Sequence, residues 1–211
     1  MLTRLSICFI LLLGPVLAGH AGPVTGEAQQ ALTARVRTAS ESVNTLQGRF
    51  VQTKTLSILS DSFKSEGTLY YSRPQKLRWQ YNAPYRYDFI MDGHSVTMRS
   101  EQGSQTVDAD GNRIFRQLCA VIAGGVDGSL LTSDRDFDIS WQRDNGVISA
   151  ELRPKIRPFK DMFARIVISL GDEDCMVRHI LMEENGGDTT EIVFTECVVN
   201  QPIDNAIYEM E

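Results

Sequence analysis

Apolar and polar side chains alternate between residue 48 and residue 97, where aromatic and β-branched residues are interleaved with polar ones. Turn-forming residues interrupt the alternation at Gly67, Arg73-Pro74, residues 82–84 and Asp92-Gly93. A period of two is typical of strands that bury one face, and closely spaced turns join such strands in antiparallel order. This part of the chain therefore predicts consecutive antiparallel strands.

Two segments have helical periodicity instead. Residues 25–45 place small and apolar side chains near helical spacing, which predicts an amphipathic helix. Residues 113–123 carry a stronger apolar stripe, and we expect Gly124-Gly125 to end that helix. Ordinary core packing would produce the same stripe, so the pattern alone does not distinguish a core helix from one that covers a ligand.

Further turn signals divide the C-terminal half into short strands, so we expect about ten or eleven strands in all. The strand-like segments are residues 48–55, 64–73, 75–82, 85–92, 94–100, 134–143, 147–153, 163–170, 175–184 and 189–199. Helices do not alternate with these strands, which excludes a parallel α/β sheet. Because a large antiparallel sheet tends to curl, we predict a mainly β (α+β) fold. Its expected form is a half-open, strongly curved antiparallel β-barrel, with an N-terminal helix and a central helical lid over an apolar cavity.

The N-terminal segment has the layout of a cleaved secretory signal. Arg4 supplies a positive start, an apolar run follows, and small residues at Ala18 and Ala21 offer two cleavage sites. The run is shorter than the roughly 20 residues of a membrane-spanning helix, so we do not expect a permanent anchor. We predict that residues 1–21 are removed on secretion and that residues 22–211 form a single domain.

The chain is acidic, with a formal net charge of −6 at pH 7. Removal of the signal would take away one more positive charge. An acidic protein repels nucleic-acid phosphates and anionic lipid headgroups. We therefore expect no nucleic-acid partner and no stable membrane insertion, and we expect the protein to be a monomer.

The cysteines suggest a disulfide but no metal site. Secretion would place Cys175 and Cys197 in an oxidising compartment, at nearly equal distances from the predicted turn at residues 185–188. They could lie opposite each other across a hairpin and form a bond, or they could be two reduced, buried thiols. Cys119 falls on the second predicted helix as a small apolar residue. There is no CxxC motif and no zinc-ligand spacing, so we expect neither a metal nor a cofactor.

Catalytic motifs are weak. Gly93-His94-Ser95 begins like a nucleophile elbow, but Thr97 stands where the final glycine is required, and the segment joins two strands. We predict no catalytic residues and no enzymatic activity. A secreted hydrolase that uses His94 or Ser95 is retained as a minor alternative.

Several short motifs follow one another in a distinctive order. They are Phe50-Val51-Gln52, Gly67-Thr68-Leu69 leading to Arg73-Pro74, Leu77-Arg78-Trp79, Asp92-Gly93, Leu152-x-Pro154 and Ile192-x-Phe194. In this order and spacing the chain resembles the LolA family of periplasmic outer-membrane lipoprotein carriers. The resemblance covers nearly all of residues 22–211 and is most specific between residues 48 and 96.

The resemblance implies a periplasmic carrier in a Gram-negative envelope that shields the acyl chains of lipoproteins. Members of the family receive lipoproteins from an ATP-driven extractor in the inner membrane and pass them to a receptor in the outer membrane. The arginine of the Arg-Pro corner holds the helical lid closed in this family, and Arg73 occupies the matching position. A guanidinium suits that role because it offers five donors and stays charged.

The side chains expected to line the cavity come from one face of each strand and from the second helix. They are Phe50, Leu69, Leu77, Trp79, Phe89, Met91, Phe115, Leu118 and Ile122. Each of them taken alone is more often an ordinary core residue than a ligand contact, so the prediction concerns the set. A paralogue of the same fold that transports or senses another lipid or a glycolipid remains the main alternative to a lipoprotein carrier.

Overall fold

Twelve strands form one antiparallel sheet in the part of the chain described by a computed structural model. The described residues are 22–59, 61–108, 111 and 113–209. Four of them are described by their backbone alone, namely Arg113, Ile114, Phe115 and Leu118. The predicted signal, residues 1–21, lies outside the described residues.

The elements follow one another along the chain as strands with a few interspersed helices. The strands are β1 (Gly22–Val24), β2 (Thr45–Leu56), β3 (Asp61–Ser72), β4 (Lys76–Ala83), β5 (Tyr87–Met91), β6 (Ser95–Ser100), β7 (Gly103–Asp108), β8 (Phe137–Asp144), β9 (Val147–Pro154), β10 (Phe163–Gly171), β11 (Val177–Glu184) and β12 (Thr189–Val199). The α-helices are α1 (Gly26–Ser42), α2 (Arg113–Asp127) and α3 (Phe159–Met162). Two 3₁₀ turns cover Ser129–Thr132 and Asn205–Tyr208.

The order of the strands leaves the sheet open. Strands β2 to β7 pair in sequence, as do β8 to β12, and β12 pairs with β2 to join the two series. Strands β1 and β7 form the two edges. The predicted half-open, curved antiparallel architecture is confirmed.

Both long helices are connections that must cross the sheet. Helix α1 leads from the edge strand β1 to the central strand β2, and α2 with the first 3₁₀ turn leads from the edge strand β7 toward β8 beside the other edge. The apolar face of α1 buries Leu32 and Val36, and α2 buries Ala123 and Val126. These side chains join the apolar cluster of the sheet. The helices thus cover a face that would otherwise expose apolar side chains to water.

Ten of the twelve strands begin and end within three residues of the predicted limits. The two missed strands are the sheet edges. Strand β1 has only three residues, too few to display a period. Strand β7 is almost entirely exposed and polar, so it lacks the apolar alternation from which strands are recognised.

The predicted end of the second helix is wrong. Gly124 and Gly125 lie inside α2, which continues to Asp127. The helix ends before Gly128, whose φ of +81° is the left-handed conformation that commonly terminates helices. Gly124 has a packing role instead, because a Cβ atom there would lie 3.0 Å from the backbone nitrogen of Leu130. Among the described residues, no helix combines the length and apolarity needed to cross a bilayer.

The disulfide that the sequence allowed is not formed. Cys175 and Cys197 are both free thiols, and Cys175 precedes β11 with a positive φ of 55°. The pairing of β11 with β12 stops at His179 opposite Val193, so the ladder does not extend as far as the two cysteines. Cys197 packs instead beside Gly48 of β2, where an added Cβ atom would lie 2.7 Å from its sulfur. Burial raises the pKa of both thiols above the ordinary value.

Gly67 permits the closest approach in the aromatic part of the sheet. It lies where the register of β3 against β4 shifts, opposite Phe50 of β2. An added Cβ atom would lie 1.9 Å from the carbonyl oxygen of Gln80 and 2.7 Å from the Phe50 ring. The Phe50 ring in turn contacts Trp79 and Tyr81, with centroid distances of 4.8 and 5.1 Å.

Replacing Gly67 with alanine should destabilise the protein. The new methyl group must displace a backbone carbonyl and a packed ring, and overpacking of this kind costs about 1–3 kcal/mol. Chemical denaturation of Gly67→Ala would measure the loss. Gly186→Ala is the matched control, because no other atom lies within 4 Å of a Cβ at that position. Equal stability of the two variants would contradict the steric argument.

Candidate functional site

An apolar cavity of about 320 Å³ lies between α2 and the sheet. Most of its wall is aliphatic or aromatic, with two polar side chains, Gln52 and Tyr81. The remaining lining residues are Trp79, Val121, Ile122, Gly125, Val126, Leu130, Phe159, Met162, Phe163, Ile166, Ile168, Ile180, Met182 and Ile192. A space of this composition suits a hydrocarbon and offers little to a polar solute.

The cavity receives only part of the predicted set. Trp79 and Ile122 line it. Four others, Phe50, Leu69, Leu77 and Met91, are fully buried in the core and contribute no wall. Phe89 is half-buried and packs against that core. The side chains of Phe115 and Leu118 lie outside the described residues.

Much of the wall comes from the second half of the chain, which the sequence reasoning overlooked. Ile166 and Ile168 lie on β10, and Ile180 and Met182 lie on β11. Their spacing of two was available in the sequence as a signal. In a sheet that curves back on itself, however, alternation marks the inward face without telling whether core or cavity lies behind it.

Two polar groups remain inside the cavity. The Tyr81 hydroxyl donates to Oε1 of Gln52 at 2.9 Å, and burial is the main reason that the pKa of Tyr81 rises to about 12. The Trp79 indole N–H is buried and interacts with the Tyr81 side chain, which lowers the pKa of Tyr81, but the contact lacks full hydrogen-bond geometry among the described residues. A buried donor that is incompletely satisfied favours a better acceptor.

Arg73 binds the end of α1. It lies in the turn after β3, and its Nε donates to the carbonyl oxygen of Val43 at 2.9 Å. Its Nη2 donates to the carbonyl oxygen of Ser40 in the last turn of the helix, and its backbone N–H donates to the carbonyl oxygen of Asn44 at 2.8 Å. The guanidinium therefore binds two carbonyl groups at the end of α1, of which that of Ser40 also accepts the backbone N–H of Val43 at 3.1 Å.

Asp127 connects the same arginine to α2. It is the last residue of that helix, its side chain is 5% exposed, and its Oδ2 lies 3.6 Å from Nη2 of Arg73. The same oxygen accepts a hydrogen bond from the Tyr71 hydroxyl at 2.8 Å, and Oδ1 accepts one from the backbone N–H of Ser129 at 2.8 Å. Burial, together with the Asp127 carboxylate, holds the pKa of Tyr71 well above its usual value.

The position of Asp127 is unfavourable without these partners. A negative charge at the C-terminus of a helix opposes the helix dipole, and a buried carboxylate must be hydrogen-bonded. The positive charge of Arg73 offsets the unfavourable dipole, and Tyr71 and the backbone N–H of Ser129 supply the hydrogen bonds. Together, Arg73, Asp127 and Tyr71 join α1, α2 and the sheet at one point, and we refer to these three residues as the latch.

The family resemblance pointed to Arg73, but neither it nor the residue pattern pointed to Asp127. In the sequence Asp127 sits between glycine-rich segments and looks like a turn residue. The available signal was a single acid at the end of a strongly apolar stripe.

Asn200 provides a second attachment for α1. Its Oδ1 accepts the backbone N–H of Asn44 at 2.8 Å, and its Nδ2 donates to the carbonyl oxygen of Ser42 at 3.0 Å. In addition, Arg37 of α1 donates to the carbonyl oxygen of Thr132 at 3.1 Å, which links the helix to the 3₁₀ turn after α2. Losing Arg73 would therefore loosen α1 without detaching it.

The residues of the hydrolase alternative serve a hairpin turn. Asp92 accepts hydrogen bonds from the backbone N–H groups of His94 and Ser95 at 2.8 and 2.7 Å, and Ser95 Oγ donates to Asp92 Oδ2 at 2.9 Å. The serine hydroxyl is thus committed to the turn. No group of three His, Cys, Asp or Glu side chains within the described part of the chain is arranged to hold a metal ion.

Tyr71 and Asp127 should be energetically coupled through their hydrogen bond. We expect a double-mutant cycle of Tyr71→Phe and Asp127→Asn to give a coupling free energy of about 1.5–3 kcal/mol, the range for a hydrogen bond to a charged group. Denaturant unfolding of the four proteins would measure it. An equivalent cycle on the exposed pair Arg157 and Asp161, 3.4 Å apart, should give a much smaller coupling, because solvent screens exposed ion pairs. Similar couplings in both cycles would contradict the assignment of a buried latch.

Comparison with known proteins places this geometry in a family. The family profile described as outer membrane lipoprotein carrier protein LolA matches residues 41–211. An outer-membrane lipoprotein carrier protein of Nitrosomonas europaea is 26% identical over 214 residues, which cover 97% of this chain and 90% of that protein. One of Chromohalobacter salexigens is 25% identical over 194 residues, covering 90% and 87%.

A solved structure supports the fold. The crystal structure of an uncharacterized conserved protein from Thermus thermophilus superposes with a TM-score of 0.50 at 9% identity, covering 88% of this chain and 95% of that one. At that identity the likeness concerns the fold alone. The family profile spans most of the chain, including the latch and the cavity. The chain therefore belongs to the LolA family of outer membrane lipoprotein carrier proteins.

Proposed function

We propose that this protein is a periplasmic carrier that shields the acyl chains of lipoproteins and moves them from the inner to the outer membrane. The observation that carries the proposal is the apolar cavity under α2, whose cover is held by a polar latch, in a chain of the LolA family. An ATP-driven extractor in the inner membrane would supply the cargo, and a receptor in the outer membrane would take it.

The size of the cavity implies that loading opens the cover. A volume of about 320 Å³ lies at the lower end of the roughly 300–1,000 Å³ of ordinary small-molecule sites. A lipoprotein carries two or three acyl chains, which need more room than one such site. Carriage of these chains would therefore require α2 to move away from the sheet.

The energies are compatible with reversible opening. Moving a methylene out of water contributes roughly 0.8 kcal/mol, so one 16-carbon chain gains about 12 kcal/mol. Each hydrogen bond of the latch involves a charged group and contributes about 1.5–3 kcal/mol, so the bound acyl chains of a lipoprotein outweigh it. Cargo can thus open the latch, and re-formation of the latch favours release when an acceptor offers the chains another apolar environment.

The incompletely satisfied Trp79 donor fits the chemistry of an acylated cargo. Ester and amide carbonyl groups attach acyl chains to a lipoprotein, and each can accept a hydrogen bond. A carbonyl oxygen at the Trp79 indole would offer the buried N–H a better acceptor. Trp79 would then bind the carbonyl end of an acyl chain whose hydrocarbon part lies in the cavity.

Tryptophan fluorescence can test whether acyl chains enter this cavity. The chain has two tryptophans, Trp79 at the cavity and Trp141 buried in the core on β8. An amphiphile brominated on its acyl chain should quench Trp141→Phe, which keeps Trp79, because quenching requires contact. It should leave Trp79→Phe nearly unchanged. Equal quenching of both variants would show that the amphiphile does not enter the cavity selectively.

The latch predicts a defect in release. Arg73→Leu should still accept an acylated lipoprotein but fail to pass it to outer-membrane vesicles, because the closed state loses its hydrogen bonds. A loss of about 1.5–3 kcal/mol from the closed state would tighten binding of an amphiphile roughly 10- to 100-fold. Arg49→Leu is the control, since Arg49 is exposed and pairs only with the exposed Glu196 among the described contacts. Transfer by Arg73→Leu at the rate of the control would remove the proposed role.

Direct identification of the bound molecule can distinguish a lipoprotein cargo from another lipid. A cavity of this kind would also accept the chains of another lipid or a glycolipid, as a paralogue of the same fold would require. Native mass spectrometry of the protein isolated from its own periplasm would distinguish a bound lipoprotein from a bound lipid. Recovery of a glycolipid alone would replace the lipoprotein with that lipid as cargo.

A further inference from the structure

A second, larger space adjoins the apolar cavity. It is a groove of about 930 Å³ between α2, the first 3₁₀ turn, the start of β8 and the segment before α3. Unlike the cavity, it is lined by both polar and apolar groups. Its polar wall includes Gln75, Arg116, Gln117, Arg135, Asp136 and Arg157.

The groove and the cavity meet at α2 and the turn that follows it. Val121 and Leu130 contribute to the walls of both spaces. A molecule with an apolar part in the cavity could therefore extend past these two side chains and place a polar part in the groove. One end of the groove lies near the latch, because Gln75 lines the groove and is two residues after Arg73.

The charge of the groove is opposite to that of the chain as a whole. Three of its lining residues are arginines and one is an aspartate, although the protein has a net charge of −6. Arginine presents a planar fork of donors that matches phosphate and carboxylate oxygens. A local concentration of arginine on an acidic protein therefore favours an anionic ligand in this groove.

Two of the arginines are available for a ligand. Arg157 is 83% exposed and lies 3.4 Å from the exposed carboxylate of Asp161. Arg135 is 79% exposed and pairs with Asp136 at 2.9 Å. The Arg157–Asp161 pair is exposed on both sides and contributes little to stability because solvent screens it, so an incoming anion can recruit Arg157 at little cost. The Arg135–Asp136 pair differs, because the Asp136 side chain is only 14% exposed and binds Nε and Nη2 of Arg135. An anion can therefore reach Arg135 through Nη1 while Asp136 stays paired. Asp136 opposes the anion, and its existing pair with Arg135 offsets part of that repulsion.

We propose that the groove binds the anionic phosphate headgroup of an amphiphile whose acyl chain occupies the cavity. The inference rests on the proposed function only for the use of the cavity by an acyl chain. Its ligand belongs to the alternative cargo, another lipid, because the ester and amide groups that join acyl chains to a lipoprotein contain no phosphate. The neutral donors Gln75 and Gln117 complete the polar wall around the headgroup. The ligand class is thus an acylated phosphate.

The test compares headgroups on one chain length. Isothermal titration of the full-length mature protein would use dodecyl phosphate, dodecyl maltoside and inorganic phosphate, with both amphiphiles below their micelle concentrations. We expect dodecyl phosphate to bind at least about tenfold more tightly than dodecyl maltoside, the factor that one hydrogen bond to a charged group can supply. Inorganic phosphate should bind far more weakly than dodecyl phosphate, since it has no chain for the cavity.

The double variant Arg135→Gln/Arg157→Gln should lose the preference for the phosphate headgroup while its affinity for dodecyl maltoside stays the same. Arg153→Gln is the matched control, because Arg153 is 67% exposed, pairs with Glu151 and lies outside the groove. Retention of the preference in the double variant, or equal affinity of the unmodified protein for the two amphiphiles, would overturn the inference. Binding of inorganic phosphate as tight as that of dodecyl phosphate would also overturn it, since the anion site would then be independent of the cavity.

The outcomes distinguish this inference from the proposed function. Quenching of Trp79 by a brominated chain without any headgroup preference would support the proposed carrier and contradict phosphate binding in the groove. A clear preference for dodecyl phosphate in a protein that never transfers lipoproteins would support phosphate binding and contradict the proposed lipoprotein carrier.

Discussion

The arrangement of the two helices over the sheet depends on the buried carboxylate of Asp127. An open sheet with an apolar inner face needs a cover, and the cover here consists of two helices that come from different connections of the chain. Apolar packing alone would not specify the position of the two helices, because the hydrophobic effect is non-directional. The carboxylate fixes their position, because it binds Tyr71 of the sheet and Arg73, which in turn binds the end of α1.

Packed core and open space lie side by side under the same sheet. Side chains such as Phe50, Leu69 and Leu77 are fully buried, and so are Ile148 and Leu152 in the other half of the sheet. The cavity under α2 takes its wall from both halves, because Trp79 and Tyr81 of β4 line it together with residues of β10 to β12. Close packing around the cavity gives its wall a defined shape.

Patterns of period two predicted the fold well, and they predicted the site only partly. The alternation in β2 to β6 and in β8 to β12 arises from burial of one face, which is a local property that the sequence records. The edges β1 and β7 bury almost nothing and left no pattern. Phe50 and Ile166 both face inward on their strands, but whether core or cavity lies above each depends on how the sheet curves and where α2 rests. That is a tertiary property.

The latch shows the same boundary between local and tertiary information. Arg73 was singled out through the family resemblance, because it stands at the matching Arg-Pro corner. The residues alone favoured a solvated arginine at a turn. Asp127 and Tyr71 are 56 residues apart, and only the fold brings them within hydrogen-bond distance. The failed disulfide has a similar origin, since equal distances from a turn place two residues opposite each other only while the ladder continues.

The acceptors that Arg73 uses on α1 have a consequence for how this protein can vary. Both are main-chain carbonyl groups, at Ser40 and Val43, and every amino acid supplies such a group. Substitutions along the first helix can therefore accumulate without disturbing the fastening, provided that its last turn keeps its shape. By contrast, the attachment of α2 uses the side chain of Asp127. A relative without an acid at that position must attach its second helix by other contacts.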